Sequence, residues 1–396
     1  DDQMAHAKSG MWWENEGQRA LANNSVAYKG KPEMGTFMRE WVSLYESKSG
    51  ERGIFNRKSA QVQAAKNGRR DADHDFGCNP CSEIILRPYQ FCNLSEVVAR
   101  AGDTEKTLAT KVGLATILGT FQSTLTDFKY LRNIWKKNTE EERLLGVSLT
   151  GIMDNELLSG NSATLGTNIS STLELLREVA VETNKGMAKK LGIPRSTAIT
   201  CVKPSGTVSQ LVDSASGIHA RHNAHYIRTV RGDNKDPLTQ FLTSQGIPAE
   251  ADVMKPESTT VFSFPMASPR GAVTRTILTA IEQLELWLTY QRHWCEHKPS
   301  VTISVKENEW MDVGAWVYKH FDEVSGISFL PFSDHTYKQA PYQDCTEDEY
   351  DAMLAQMPTS VDWSLLQEFE KEDTTSGGRE LACTADACEI VDLNAA

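Results

Sequence analysis

The residues best suited to chemistry sit in one short segment. It reads Phe76-Gly77-Cys78-Asn79-Pro80-Cys81-Ser82-Glu83-Ile84, then Arg87-Pro88-Tyr89-Gln90-Phe91-Cys92-Asn93-Leu94. Pro80 fixes a bend. Cys81 and Glu83 are two residues apart, and Asn79 stands two before Cys81. In an extended strand all three would point to one face. A thiol, a carboxylate and an amide would then converge on one small polar substrate. The carboxylate can act as a general base and the amide can hold a hydroxyl. Cys92 follows a Pro-containing turn, as if the chain folds back beside the first strand. Two other readings compete. His74, Cys78, Cys81 and Cys92 offer four ligands for a zinc-stabilised scaffold domain, although only one Cys-x-x-Cys half-site is present. A thiol–disulfide oxidoreductase would instead use Cys78 and Cys81.

Two further motifs bear on the same question. Lys203-Pro204-Ser205-Gly206-Thr207 follows an apolar strand-like stretch and precedes an apolar helix start. Backbone N–H groups and hydroxyls at such a junction can hold phosphate, although most such junctions are only caps. Cys383 and Cys388 lie in a polar C-terminal stretch, where a thiol pair suits disulfide exchange with a distant site. His219, His222 and His225 are spaced by three and could ligate metal on a helix. Arg221 and Arg228 beside them favour a polar surface stretch or an anion-facing loop.

These residues need a scaffold, and the 396-residue chain is long enough to bury one. Helical spacing predicts helices over Thr36–Ser47, Lys58–Arg70, Thr107–Phe128, Leu173–Leu191, Val273–His293, Glu307–Phe321 and Glu347–Met357. Strands are expected at Ser196–Val202, Thr259–Phe264, Val301–Val305 and Gly326–Phe332, with Leu144–Met153 a strand or buried turn and Gly50–Asn56 a turn. Alternating strands and helices predict an α/β fold with parallel strands. Residues 1–369 are expected to form it, and Glu370–Ala396 a flexible acidic tail. The net charge of -12 disfavours nucleic acid as a direct partner. No run approaches the ~20 apolar residues of a membrane span, and the eight cysteines are too sparse for a secreted disulfide scaffold. A cytoplasmic location is expected.

Asn79-Pro-Cys-Ser-Glu-Ile84 followed by Phe91-Cys-Asn-Leu94 resembles the active-site hairpin of ribonucleotide reductases. Gly17–Ser25, Ser216–His219 and His297–Val305 resemble other segments of that family. The resemblance implies the C-terminal part of a ten-stranded α/β barrel with a central finger loop. It implies that Cys81 becomes a thiyl radical that removes the 3′-hydrogen of a ribonucleotide. Glu83 would take the 3′-hydroxyl proton, Asn79 would bond the sugar hydroxyls, and Cys92 would be one of two reducing thiols. Ser205, Gly206 and Thr207 would hold the nucleotide's phosphates. Cys383 and Cys388 would pass electrons from a thioredoxin-like reductant. Iron-dependent members relay the radical through two adjacent tyrosines; none of the ten tyrosines here are adjacent, and Phe329-Leu330-Pro331 occupies the corresponding stretch. The resemblance therefore points to adenosylcobalamin as cofactor, no metal site on the chain itself, and the monomeric ribonucleoside-triphosphate type, a diphosphate reductase being the variant. Cys78 departs from the family pattern and is expected as a small buried apolar residue. The second reducing thiol and the effector site lie upstream of the hairpin in the family, and no cysteine precedes Cys78. The expectation is a fragment or split subunit that needs an N-terminal partner.

Overall fold

A computed structural model describes residues 3, 6–10, 16–19, 24–50, 52–160, 168–332, 338–371 and the backbone of 379–384 and 387–392. The strands, in chain order, are β1 (Ser25–Tyr28), β2 (Gly53–Asn56), β3 (Gly77–Cys78), β4 (Ile85–Leu86), β5 (Asn93–Val98), β6 (Leu145–Thr150), β7 (Thr200–Cys201), β8 (His225–Asp233), β9 (Ala249–Ala251), β10 (Thr259–Ala267), β11 (Val301–Val305), β12 (Ile327–Pro331), β13 (Tyr342–Asp344), β14 (Arg379–Thr384) and β15 (Ala387–Asp392).

Two sheets position the hairpin. One runs β5-β6-β7, all parallel, and the other runs β1-β2-β12-β11. Within the second, β1 pairs with β2 and β11 with β12 in parallel, while β12 meets β2 antiparallel at Ile327 and Ile54. A parallel bridge between Val202 and Pro299 joins the two sheets. Every residue of β6 is buried. Burial on both faces is what a central parallel strand covered by helices requires.

The helices cover the outside of this arc. Ala280–His293 starts on a capping box in which Thr279 and Glu282 bond each other's backbone. It buries Trp287, Tyr290 and Trp294 completely. Their polar tips are satisfied: the Trp287 indole donates to the Pro299 carbonyl at 2.8 Å and the Trp294 indole to the Cys201 carbonyl at 2.7 Å. Full burial of such side chains stabilises the fold by roughly 1.5–3 kcal/mol each. The same contacts fix the ends of β7 and β11, where the site lies.

Several expectations need correction. Gly50–Asn56 is not simply a turn: Gly53–Asn56 is strand β2 with all four residues buried. The helix expected over Val273–His293 begins only at Ala280, and Thr107–Phe128 is a helix over Glu105–Gln122. The strands are not uniformly parallel, because β13-β8-β10-β9 form an antiparallel sheet. Arg221 does not lie on a polar surface stretch. It is 4% exposed and bonded through both Nε and Nη2 to Asp154, at 2.8 and 2.9 Å. His219, His222 and His225 are not on a helix; the His219 ring accepts from the Thr302 N–H at 3.1 Å. Residues 20–23 of the Gly17–Ser25 segment lie outside the described residues.

Candidate active site

The cysteine segment is a short hairpin. β3 and β4 pair antiparallel, Gly77 with Leu86 and Cys78 with Ile85, and residues 79–84 form its tip. The tip is not an extended strand. Ser82 takes the left-handed conformation, with φ 67°, and its N–H donates to the Asn79 carbonyl at 2.9 Å. A non-glycine residue held there costs of order 1–3 kcal/mol and persists only where its surroundings dictate it. The side chains nevertheless converge, because the turn folds them together. Asn79 Nδ2 donates to Glu83 Oε1 at 2.7 Å, and Asn79 Oδ1 accepts from the Ile84 N–H at 3.0 Å.

The walls of the arc dictate this conformation. Ser300 Oγ donates to the Cys81 carbonyl. The Lys298 N–H donates to the Glu83 carbonyl at 3.0 Å, and Lys298 Nζ to Ser82 Oγ at 3.1 Å. His297 Nδ1 accepts from the Ile85 N–H at 3.3 Å. A Cβ at Gly326 would stand 3.0 Å from the Ser82 carbonyl oxygen and 3.3 Å from Lys298 Nζ. At the root, buried Arg70 grips Glu142 through Nε and Nη2, each at 3.0 Å, and donates Nη1 to the Ile85 carbonyl at 2.9 Å. The hairpin is therefore clamped by the segments that lead into β11 and β12 and, at its root, by Arg70 and Glu142.

Glu83 is completely buried. Its Oε1 is bonded by Asn79 and lies 3.4 Å from Lys203 Nζ. Its Oε2 is buried with no hydrogen-bond partner among the described residues. Cys81, half-buried, lies within reach of the same ammonium. Cys92 is brought over Gly146, near enough to feel the Glu83 charge: a Cβ at Gly146 would come 3.3 Å from Cys92 Sγ and 2.5 Å from Leu94 Cδ2. Burial first, and then the Glu83 carboxylate, pushes the Cys92 thiol well above its usual range. Cys201 on β7 is buried too, and burial, Glu83 and Cys92 push its thiol up.

The remaining expected residues separate into groups. Ser205 is buried and caps the helix Gly206–Leu211 by accepting from the Ser209 N–H at 3.2 Å. Gly206 is half-buried and Thr207 exposed. Glu96 reaches this loop from β5, where burial raises its pKa against the effects of Ser205 and Lys203. Cys78 is exposed, correcting the expectation of a buried residue, and accepts from Ser82 Oγ at 3.3 Å. Its position opposite Ile85 at the rim of a two-residue ladder leaves no core around it. Cys383 and Cys388 are register partners on the β14–β15 backbone, within the stretch expected as a flexible tail; their side chains lie outside the described residues. Among the described residues no group of three or more His, Cys, Asp or Glu side chains could hold a metal ion. His74, one of the four zinc candidates, instead packs edge-on to Phe76.

Spacing alone missed Lys203, Lys298, Ser300, Glu96 and Cys201. Lys203 and Lys298 did lie inside motifs that attracted notice for other reasons. Burial lowers the Lys298 ammonium from 10.5 to about 8, against the opposing pull of Cys78 and Glu83. Between those two pH values the unfolded chain still holds this proton and the folded chain has released it. Stability relative to a Lys298→Met variant therefore rises with pH across that window. Urea denaturation of both proteins below and above the window checks this.

No family model matches the chain. In a solved structure of a B12-dependent, class II ribonucleotide reductase, the same arrangement covers 95% of this chain and 55% of that one, with a TM-score of 0.74 at 22% identity. The chain has the fold of a class II ribonucleotide reductase. Sequence relatives point the same way. An adenosylcobalamin-dependent ribonucleoside-triphosphate reductase of Euglena gracilis is 26% identical over 347 residues, 86% of this chain and 46% of that protein. The enzyme of that name from Lactobacillus delbrueckii subsp. bulgaricus is 25% identical over 411 residues, 94% and 53% of the two chains. A probable member in Dictyostelium discoideum is 29% identical over 331 residues, 81% and 41%. The chain thus spans about half the length of the curated relatives it matches. No helix among the described residues is long and apolar enough to cross a membrane.

Proposed function

We propose that this chain is the C-terminal catalytic part of an adenosylcobalamin-dependent ribonucleoside-triphosphate reductase, acting in the cytoplasm. The observation that carries this reading is Glu83 Oε2, a buried carboxylate oxygen with no hydrogen-bond partner among the described residues, beside a half-buried thiol. Such an orphaned atom calls for an external donor, and a ribose hydroxyl supplies one. In this reading Cys81 removes the 3′-hydrogen and Glu83 takes the 3′-hydroxyl proton. Asn79 keeps Glu83 Oε1 occupied, so that Oε2 alone faces the sugar. Cys92 gives one of the two reducing equivalents. Its raised pKa keeps it a thiol at neutral pH, which is the form able to donate hydrogen. Ser205, Gly206 and Thr207 take the phosphates.

Adenosylcobalamin, when bound, supplies a cobalt–carbon bond whose homolysis can draw the hydrogen atom from a thiol. The Cys81 thiol is the group on which such a source would act. Cys81 is partly exposed at the hairpin tip, and Phe329, where a relay tyrosine would stand, is buried edge-on against Trp41 with ring centres 5.0 Å apart. An N-terminal part, as a separate chain or a joined segment, would bring the second reducing thiol and the effector site. Cys383 and Cys388 would then reduce the disulfide formed with Cys92 and pass it to a thioredoxin-like reductant. The tail strand β15 lies alongside the helix that starts at Gly206.

Reconstitution tests this. The chain is mixed with the N-terminal part of a relative, adenosylcobalamin, a dithiol and a ribonucleoside triphosphate, and 2′-deoxynucleotide is measured. Formation that needs both parts and exceeds that from a diphosphate is expected. No product, where the full-length relative gives product under the same conditions, rejects the reading.

A further inference from the structure

Lys203 stands directly before the loop Ser205–Thr207, where a lysine would be expected to reach for phosphate. Its ammonium turns the other way. It lies 3.4 Å from Glu83 Oε1 and within hydrogen-bonding reach of the Cys81 thiol. The backbone fixes this direction. The Lys203 N–H donates to Ser148 Oγ at 2.8 Å, and Val202 just before it is bridged to Pro299. A Cβ at Gly217 would come 2.6 Å from the Lys203 carbonyl oxygen, so that oxygen is packed against a chain that needs glycine there. The side chain is 31% exposed, whereas Glu83 is wholly buried. The lysine therefore closes the inner wall around the carboxylate and keeps one side open to the site.

We propose that Lys203 is a further catalytic residue: its ammonium bridges the Cys81 sulfur and the Glu83 carboxylate and holds the two groups in register with the same sugar carbon. This rests on the reductase reading of the site. No proton leaves Lys203 during the cycle. Burial acts to lower its pKa, but Glu83 and Cys81 outweigh that and hold it above the usual lysine range, so it serves as a fixed positive charge. Fixed donors aimed at reacting groups are worth more in a dry site than in water. Phosphate is left to the loop itself.

The contact has a readout that needs neither substrate nor cofactor. A neighbouring ammonium favours the thiolate of a cysteine, the form that alkylates. At neutral pH, iodoacetamide should modify Cys81 about tenfold more slowly in Lys203→Met than in the wild-type chain, the change expected for one unit in thiol acidity. Lys203→Arg should retain most of the rate, and Cys345, half-buried and remote in sequence, should react equally in all three. Peptide mass spectrometry assigns each site, and circular dichroism verifies folding. Wild-type Cys81 reactivity in folded Lys203→Met overturns the proposal, whatever the enzyme assay gives. In the reconstituted enzyme, Lys203→Met should lower kcat with KM for the nucleotide little changed. A rise in KM at unchanged kcat makes Lys203 a phosphate ligand and overturns the proposal as well. Slowed alkylation in a protein whose wild type forms no deoxynucleotide rejects the reductase reading, and the catalytic role with it, while the contact itself stands.

Discussion

In the Cys81→Ser variant, deoxynucleotide formation falls below detection, a loss on the order of 10⁴-fold or more, or over about 5 kcal/mol of barrier. The proposed step needs a side chain that both yields a hydrogen atom and takes one from carbon. A thiol does this because its S–H bond is weak; the serine O–H bond is much stronger and yields no usable radical. The substitution changes one atom, and its surroundings tolerate the smaller oxygen. The backbone of Cys81 is anchored by its carbonyl to Ser300 and by the turn from Asn79 to Ser82, which the substitution leaves intact. The variant should therefore fold with the wild-type circular dichroism spectrum and bind nucleotide with ordinary affinity. Product formation by this variant at a tenth of the wild-type rate would remove Cys81 from the radical role.

Arg70→Met should lower the free energy of unfolding by about 3–5 kcal/mol, the usual cost of breaking a buried ion pair from one side. The Arg70 and Glu142 side chains are 1% and 5% exposed, so solvent screening offers little relief. The variant leaves Glu142 buried against Gln90 without its main counter-charge and deprives the Ile85 carbonyl of a donor. Because Ile85 is in β4, the damage reaches the hairpin root. Replacing Glu142 with leucine in the same protein should restore much of the loss, since an apolar pair leaves no charge stranded. Equilibrium urea denaturation of the three proteins measures both effects; equal stability of Arg70→Met and wild type would show the pair to be dispensable.

What could be read from the chain alone followed what is local. Asn79, Cys81, Glu83 and Cys92 are close in sequence, and the structure brings them together. Their convergence nevertheless has a different cause from strand geometry. Alternation in a strand does not align them; a turn with a left-handed Ser82 does, and that turn is set by Lys298, Ser300 and Gly326 from far along the chain. Lys203 was hidden for the same reason. Nothing near it in sequence tells its ammonium to reach back to Glu83. Strand β2 was missed because all four residues are buried, so no alternation marks it. Strand β8, His225–Asp233, was hidden by its arginines, which are spent on contacts such as Arg231 with Asp252 at 2.8 Å. The long helices were clear because periodicity accumulates over many turns, and Ile169–Leu191 matches the expected Leu173–Leu191 closely.

The arc around the hairpin has two ends. Among the described strands β5 has only β6 beside it, and β1 only β2. Each leaves a row of amides and carbonyls spaced for one more strand, the kind of border on which chains stick to one another. Electrostatics opposes that, because every copy carries a net charge of -12. The repulsion reaches only ~10 Å at 0.1 M salt and ~3 Å at 1 M. Ionic strength thus governs the colloidal behaviour of the isolated chain: dilute buffer keeps copies apart, and concentrated salt lets the borders zip together.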